Sequence, residues 1–215
     1  MKPSALLITD FDGTMTETDF YKIALDRFTP SETRYVWERF KRKELTQFET
    51  LQGIFSAIDA PQKDIVAALA DMQLDPGAKA AIDRLRAADW DVVITSGGCE
   101  WYIERVLQGA GIEVTVHANP GGFAESGGLE MRLPSESRFL SDQHGIDKEK
   151  VVREALDNYP RVAFAGNSEP DLAAARLVSG DFRFARSELA KLLDQERLPY
   201  HRYEHWSDIA TMLVP

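Results

Sequence analysis

Two carboxylates, Asp10 and Asp12, flank Phe11 at the end of a short apolar run, and Gly13, Thr14, Met15 and Thr16 follow at once. In extended backbone, residues i and i+2 point the same way, so both acids can reach one pocket. Acids crowded together repel each other, and a pKa rises unless a cation neutralises the pair. The simplest partner is a hard divalent ion with oxygen ligands, for which Mg2+ is the usual choice. Gly13 allows a tight turn, and Thr14 adds a hydroxyl. The ordinary alternative is a solvated acidic turn at a strand end. The buried strand before the pair and the Gly-Thr after it favour the functional reading.

The run that carries these acids, Ala5-Leu6-Leu7-Ile8-Thr9, reads as a buried parallel strand. Similar runs recur at 91–95, 113–117 and 161–165, and helical patterns separate most of them. One helix opens at Asp75-Pro76-Gly77 with Ala81, Leu85 and Ala88 inward; others cover 100–109, 147–159 and 170–178. This alternation predicts an α/β fold, a Rossmann-like, mostly parallel sheet flanked by helices. Ligands of such sheets bind beyond the carboxyl ends of the strands, where Asp10 and Asp12 fall. Residues 18–73 break the rhythm with helical patterns at 20–28, 34–43, 48–57 and 63–71 and no convincing strand. They predict a small helical bundle inserted after the first strand and covering its loop. The expected division is therefore a core of residues 1–17 and 74–215 and an insert of 18–73. Paired glycines at 121–122 and 127–128 predict a β-hairpin over 120–133. The stretch 201–215 reads as a short strand and a helix with Ile209, Met212 and Leu213 as its apolar face.

The 215 residues carry a formal charge of -10, which argues against a protein coating itself with nucleic acid or anionic lipid. A local basic pocket for a small anion stays compatible with that charge. One cysteine, Cys99, excludes an internal disulfide and a multi-cysteine metal cluster. No apolar stretch reaches the ~18 residues of a membrane span, and Met1-Lys2-Pro3-Ser4 does not open a signal peptide. The expectation is a soluble, cytoplasmic protein with no nucleic-acid or membrane partner; oligomeric state is not readable.

Asp-x-Asp-Gly-Thr-x-Thr after an apolar strand resembles the first signature of the haloacid dehalogenase superfamily of phosphatases. The resemblance implies three further signals, and each has a match in order. Ser96, in Val93-Ile94-Thr95-Ser96-Gly97-Gly98, stands where the family ends its next core strand with a hydroxyl. That hydroxyl and the glycine N–H groups can hold phosphate oxygens. A helix-start lysine is matched by Lys148, whose spacing to Val151-Val152 fits the family pattern better than that of its rival, Lys150. The fourth signal, Gly-Asp-x-x-x-Asp, is matched by Gly166-Asn167-Ser168-Glu169-Pro170-Asp171. Here Asn167 stands where the family places a metal-binding aspartate; its amide oxygen can ligate Mg2+ but lacks the charge. Asp171 or Glu169 could compensate.

The resemblance covers the chain from Leu6 to about Ala175 and implies a phosphoserine phosphatase-like branch with a helical cap. It implies that Asp10 attacks phosphorus and that Asp12 serves as general acid and base. Mg2+ would sit on Asp10, Asp12 and Asn167, with Asp171 in support, while Ser96, Gly97, Gly98 and Lys148 hold the phosphoryl group. Thr14 and Asp19 join the substrate-binding set; for Asp19 a plain helix N-cap is the alternative. The implied substrate is a small phosphate ester, 2-hydroxy-3-keto-5-methylthiopentenyl-1-phosphate or phosphoserine. The rival outcome is a fold that binds a phosphate ligand but lost turnover through Asn167. His201 and His205, the tryptophans and Cys99 read as packing or surface residues rather than as chemistry.

Overall fold

The structure is a computed structural model that describes residues 3–124 and 127–214. Met1 and Lys2 of the amino-terminal reading, Glu125 and Ser126 of the expected hairpin, and Pro215 lie outside the described residues.

The apolar run that opens the chain forms β1 (Ala5–Thr9), buried along its whole length. Helices α1 (Phe20–Arg27), α2 (Arg34–Lys41), α3 (Gln47–Ser56) and α4 (Gln62–Ala68) follow, then a 3-10 turn at Leu69–Met72. Thr16 and Leu74 form an antiparallel bridge that brings the two ends of this helical insert together. The remaining elements, in chain order, begin with α5 (Ala78–Ala87), β2 (Trp90–Cys99), α6 (Glu100–Gly109) and β3 (Thr115–Asn119). The hairpin of β4 (Gly121–Phe123) and β5 (Leu129–Met131) comes next, then the short pair β6 (Leu140–Ser141) and β7 (Gly145–Ile146). The last part comprises α7 (Lys148–Asn158), β8 (Arg161–Gly166), α8 (Leu172–Leu177), β9 (Arg183–Ala185), α9 (Ser187–Glu196), β10 (His201–Arg202) and α10 (Asp208–Leu213).

Six of these strands make one sheet in the order β10-β9-β8-β1-β2-β3. Every pairing in it is parallel. The chain moves from β1 outward through β2 and β3, then returns to the other side of β1 at β8. Strand order therefore reverses between β1 and β8, and the crevice at such a switch point is where open α/β sheets place ligands.

Alternation along β1 separates two cores. Ala5 and Leu7 join Ile82 and Leu85 of α5, Ile103 of α6 and Ile209 of α10 on one face. Leu6 and Ile8 join Val151 and Val152 of α7, Ala174 of α8 and Leu189 and Leu193 of α9 on the other. The insert packs onto the first face through Phe20 and Ile23 of α1, Ile54 and Phe55 of α3 and Ile65 of α4. No helix among the described residues is long and apolar enough to cross a membrane.

Some expectations are corrected. Met212 does not lie on a buried face: α10 is short, it turns Ile209 and Ala210 inward, and Met212 is 43% exposed. Ala88 is the C-cap of α5 and only half-buried, because the helix has ended before it could face inward. The third strand starts at Thr115 rather than 113, and β2 runs on to Cys99 with a register shift between Thr95 and Cys99. Bulges of this kind re-aim side chains beside functional sites. The pairing of β6 with β7, the strand β9 and the helix α9 had no counterpart in the sequence reading.

Candidate active site

Asp10 follows the last residue of β1, and its N–H donates to the Ala165 carbonyl of β8 (2.9 Å), so the sheet fixes its backbone. The chain then turns sharply: the N–H groups of Thr14, Met15 and Thr16 all donate to the Phe11 carbonyl. Gly13 sits at φ +68°, and a Cβ there would lie 2.2 Å from the Asn167 amide nitrogen. Both the left-handed backbone and the close approach require glycine. The bend turns the Asp10 and Asp12 side chains into one cavity of about 670 Å3, as the i, i+2 spacing predicts.

Asp10 is 4% exposed. Its Oδ1 accepts from Lys148 Nζ at 2.7 Å and its Oδ2 from the Thr14 hydroxyl at 3.1 Å. Lys148, the first residue of α7, also donates to Asp171 Oδ1 at 2.7 Å. Lys150 points away and donates to the Leu140 carbonyl, so Lys148 is the lysine at the site. Asp12 Oδ1 accepts the Phe20 N–H at 3.0 Å, and its Oδ2 accepts the Tyr102 hydroxyl at 2.7 Å. Phe20 opens α1, so Asp12 caps the first helix of the insert. Asp19 occupies the N-cap position but makes no capping bond; its carboxylate pairs with Lys22 at the cavity wall.

Ser96, Gly97 and Gly98 line the same cavity, with Ser96 Oγ accepting the Gly98 N–H at 3.0 Å. Asn119, at the end of β3, donates to the Gly97 and His144 carbonyls and so ties this loop to the turn before β7. Asn167 follows β8 and lines the cavity. The Asn167 and Ser168 N–H groups and the Ser168 hydroxyl all bond Asp171 Oδ2. Thr14 and Asp171 do not line the cavity. The hydroxyl of Thr14 is committed to Asp10, and both oxygens of the fully buried Asp171 are committed to Lys148 and the Asn167 loop.

Burial dominates the electrostatics. It raises the Asp10 carboxyl above its ordinary value, with Asp171 and Asp12 adding to the rise and Lys148 opposing it. Burial and then Asp19 push Asp12 up to about 6, against the hydrogen bonds from Phe20 and Tyr102. Desolvation alone would lower the Lys148 ammonium, but Asp10 and Asp171 hold it above the usual lysine range. Burial, then the neighbouring Asp12, drive the Tyr102 hydroxyl well above its normal value, so it keeps its proton and donates. Two acids with raised pKa values against one cation leave the cluster short of positive charge. The amide oxygen of Asn167 is buried and has no hydrogen-bond partner. An oxygen of that kind, beside carboxylates and facing a cavity, suits a hard divalent ion. Among the described residues no three His, Cys, Asp or Glu side chains gather as a metal cluster.

Other residues at the cavity were not singled out as functional from sequence. Tyr21, Trp37, Phe40, Leu51 and Phe55 make an apolar wall from α1, α2 and α3, with Tyr21 and Trp37 stacked at 5.0 Å. Arg186, just after β9, donates to the Gly13 carbonyl (2.8 Å) and the Thr16 carbonyl (2.7 Å) and clamps the Asp10 turn. From the C-terminal segment, Trp206 Nε1 donates to the Thr9 hydroxyl (2.9 Å), which donates to the Asp10 carbonyl (2.8 Å). Tyr203 donates to the Gly166 carbonyl beside Asn167. Tyr102 lies in the first turn of α6, and nothing in its spacing distinguishes it from Trp101. Cys99 is fully buried and its thiol is pushed up to about 11 by burial, which makes it inert.

A family model described as haloacid dehalogenase-like hydrolase matches residues 7–176. The chain is 26% identical over 207 residues to a 2-hydroxy-3-keto-5-methylthiopentenyl-1-phosphate phosphatase of Bacillus pumilus (strain SAFR-032), covering 95% of this chain and 88% of the relative. It is 25% identical over 213 residues to a protein of the same name from Bacillus thuringiensis (strain Al Hakam), covering 98% and 96%. Among solved structures, a probable phosphoserine phosphatase from Vibrio cholerae in unliganded form superposes with a TM-score of 0.71 at 18% identity. That superposition covers 97% of this chain but only 64% of the other. A phospho-aspartyl intermediate analogue of phosphoserine phosphatase gives 0.67 at 14% identity, covering 98% and 99%. At these identities the structural likeness speaks for the fold.

Proposed function

The chain belongs to the haloacid dehalogenase-like hydrolases, and on that footing we propose that it is a Mg2+-dependent phosphomonoesterase that cleaves a small phosphate ester through a phosphorylated Asp10. The observation that carries this reading is the pair of Asp10 and Asp12 on one cavity floor with Lys148 Nζ 2.7 Å from Asp10. The phosphatase names of the relatives support it. Residues 18–73 serve as the cap over a core of 1–17 and 74–215, and the bridge between Thr16 and Leu74 supports that division.

In this mechanism a carboxylate oxygen of Asp10 attacks phosphorus in line with the ester oxygen. Asp12 gives the departing oxygen its proton, then takes one from the water that opens the aspartyl-phosphate. Lys148, the Ser96 hydroxyl and the Gly97 N–H hold the phosphoryl oxygens, and Lys148 also offsets the charge of Asp10. A bound Mg2+ would neutralise phosphoryl charge, held by Asp10, the Asp12 carbonyl and the orphaned amide oxygen of Asn167. Asp171 supports that site from behind by fixing both Lys148 and the Asn167 loop.

For the ester, the cavity favours an apolar tail. Phosphoserine would bring a carboxylate that needs a cation, yet Lys22 is paired with Asp19 and Arg186 is spent on backbone carbonyls. The aromatic wall instead suits the methylthio end of 2-hydroxy-3-keto-5-methylthiopentenyl-1-phosphate. A cytoplasmic setting belongs to the same reading.

The test is hydrolysis of both esters, with and without Mg2+, by the wild-type protein and by Asp10→Asn. Turnover should need Mg2+, vanish in Asp10→Asn, and favour the methylthio ester by about 10-fold or more in kcat/KM. Saturable binding of phosphate esters with no turnover of any would instead establish the ligand-binding alternative.

A further inference from the structure

Asp12 is held by a side chain that none of the signature motifs contains. The Tyr102 hydroxyl donates to Asp12 Oδ2 at 2.7 Å while the Phe20 N–H occupies Oδ1 at 3.0 Å. The tyrosine ring cannot swing away. It is 1% exposed and packs against the ring of Phe20 with centroids 4.5 Å apart and edge-on to Phe55 at 5.9 Å. Phe20 thus touches the pair twice, with its N–H on the acid and its ring on the phenol. Gly98 completes the arrangement, because a Cβ there would lie 1.9 Å from the Tyr102 hydroxyl and 3.1 Å from Asp12 Oδ2. The second glycine of Ser96-Gly97-Gly98 therefore does more than present an N–H: its missing side chain is the space through which the phenol reaches the acid.

We propose that Tyr102 is a positioning residue that fixes the rotation of the Asp12 carboxyl so that its free lone pairs face the leaving oxygen, and that Gly98 is glycine in order to admit it. This rests on the phosphomonoesterase reading. Each carboxyl oxygen accepts one fixed donor and has a second acceptor position left, and Asp12 lines the cavity. As the P–O ester bond breaks, its electron pair goes to the leaving oxygen, which takes the proton of Asp12. The carboxylate so formed keeps both hydrogen bonds and recovers a proton from the water that later attacks the aspartyl-phosphate. Tyr102 retains its own proton throughout.

An ester with an alkoxide leaving group needs that proton, and 2,4-dinitrophenyl phosphate does not. In the Mg2+-loaded enzyme, Tyr102→Phe should lower kcat/KM for an alkyl phosphate by about 10–100-fold, the worth of one hydrogen bond to a charged group. It should leave kcat/KM for the dinitrophenyl ester within about twofold, since hydroxyl removal costs that ester no protonation step. Gly98→Ala, which pushes the hydroxyl off Asp12, should cost the alkyl phosphate at least about 10-fold more than the dinitrophenyl ester, whatever it costs both, so a poorly folding Tyr102→Phe does not end the test. Equal losses on both esters, or no loss on either, would overturn the positioning role while leaving the phosphatase intact. A wild-type protein that cleaves neither ester would instead bring down the phosphatase reading, and this inference with it.

Discussion

At the scale of single residues, the site stores its chemistry as unfavourable burial. Asp12 is held at about 6, against a usual aspartate value of 3.8, chiefly because water is excluded from it. The unfolded chain therefore ionises Asp12 first as pH rises, and each ionisation favours the unfolded state. Stability contributed at this position is greatest below 3.8 and is lost as pH climbs to about 6. Asp12→Asn removes the penalty. In the absence of divalent ions, it should be more stable than wild type at pH 7 by up to about 3 kcal/mol, with the gap closing as pH falls to 4. Urea melts at several pH values measure it; a gap that widens toward acid would contradict the sign.

At the scale of elements, the Asp10 turn is held from the β8 and β9 side of the sheet. The junction of β9 with α9 supplies Arg186, whose guanidinium spans the Gly13 and Thr16 carbonyls at the mouth of the helical insert. Replacing it with methionine keeps much of the packing and leaves both carbonyls without a charged donor. Arg186→Met should cost about 3 kcal/mol by chemical denaturation and lower kcat, whereas a loss under about 0.5 kcal/mol would place it at the level of an ordinary surface site. These same elements mark the limit of what the sequence reveals. Strand β1 and helix α6 could be read to the residue, since an unbroken apolar run and a helix closed by glycine are local signals. Strand β9 could not: Arg183-Phe184-Ala185 is three residues long and opens on a charge. Its meaning is tertiary, because the Arg183 guanidinium is spent on the Ala175, Val178 and Pro199 carbonyls. Asp10 and Asp12 were legible through spacing, and Ser96, Lys148 and Asn167 through the resemblance to the family's signatures. Tyr102 and Arg186 were not, since their roles depend on where a ring and a fork point after packing. Asp171 was legible as a supporting residue, but the commitment of the Thr14 hydroxyl to Asp10 was not.

At the scale of the whole molecule, a net charge of -10 surrounds a site that must admit an anion. Glu17, Asp19, Glu169 and Glu188 bring that sign to the cavity itself. The field slows the approach of a phosphate dianion, and salt screens it over ~8 Å at physiological ionic strength. At saturating Mg2+, kcat/KM should therefore rise as an inert salt is added from about 0.02 to 0.2 M, with kcat nearly unchanged; a falling kcat/KM would mean that attraction to the local cations governs approach. Strand β1, which leads into Asp10, is flanked by registers that open at Trp90 and Arg161, and its terminal Thr9 accepts from Trp206. The sequence separation of these contacts means that the turn at Asp10 takes its shape only once the distant β2, β8 and Trp206 segments have docked, and that loosening any one of them loosens the turn.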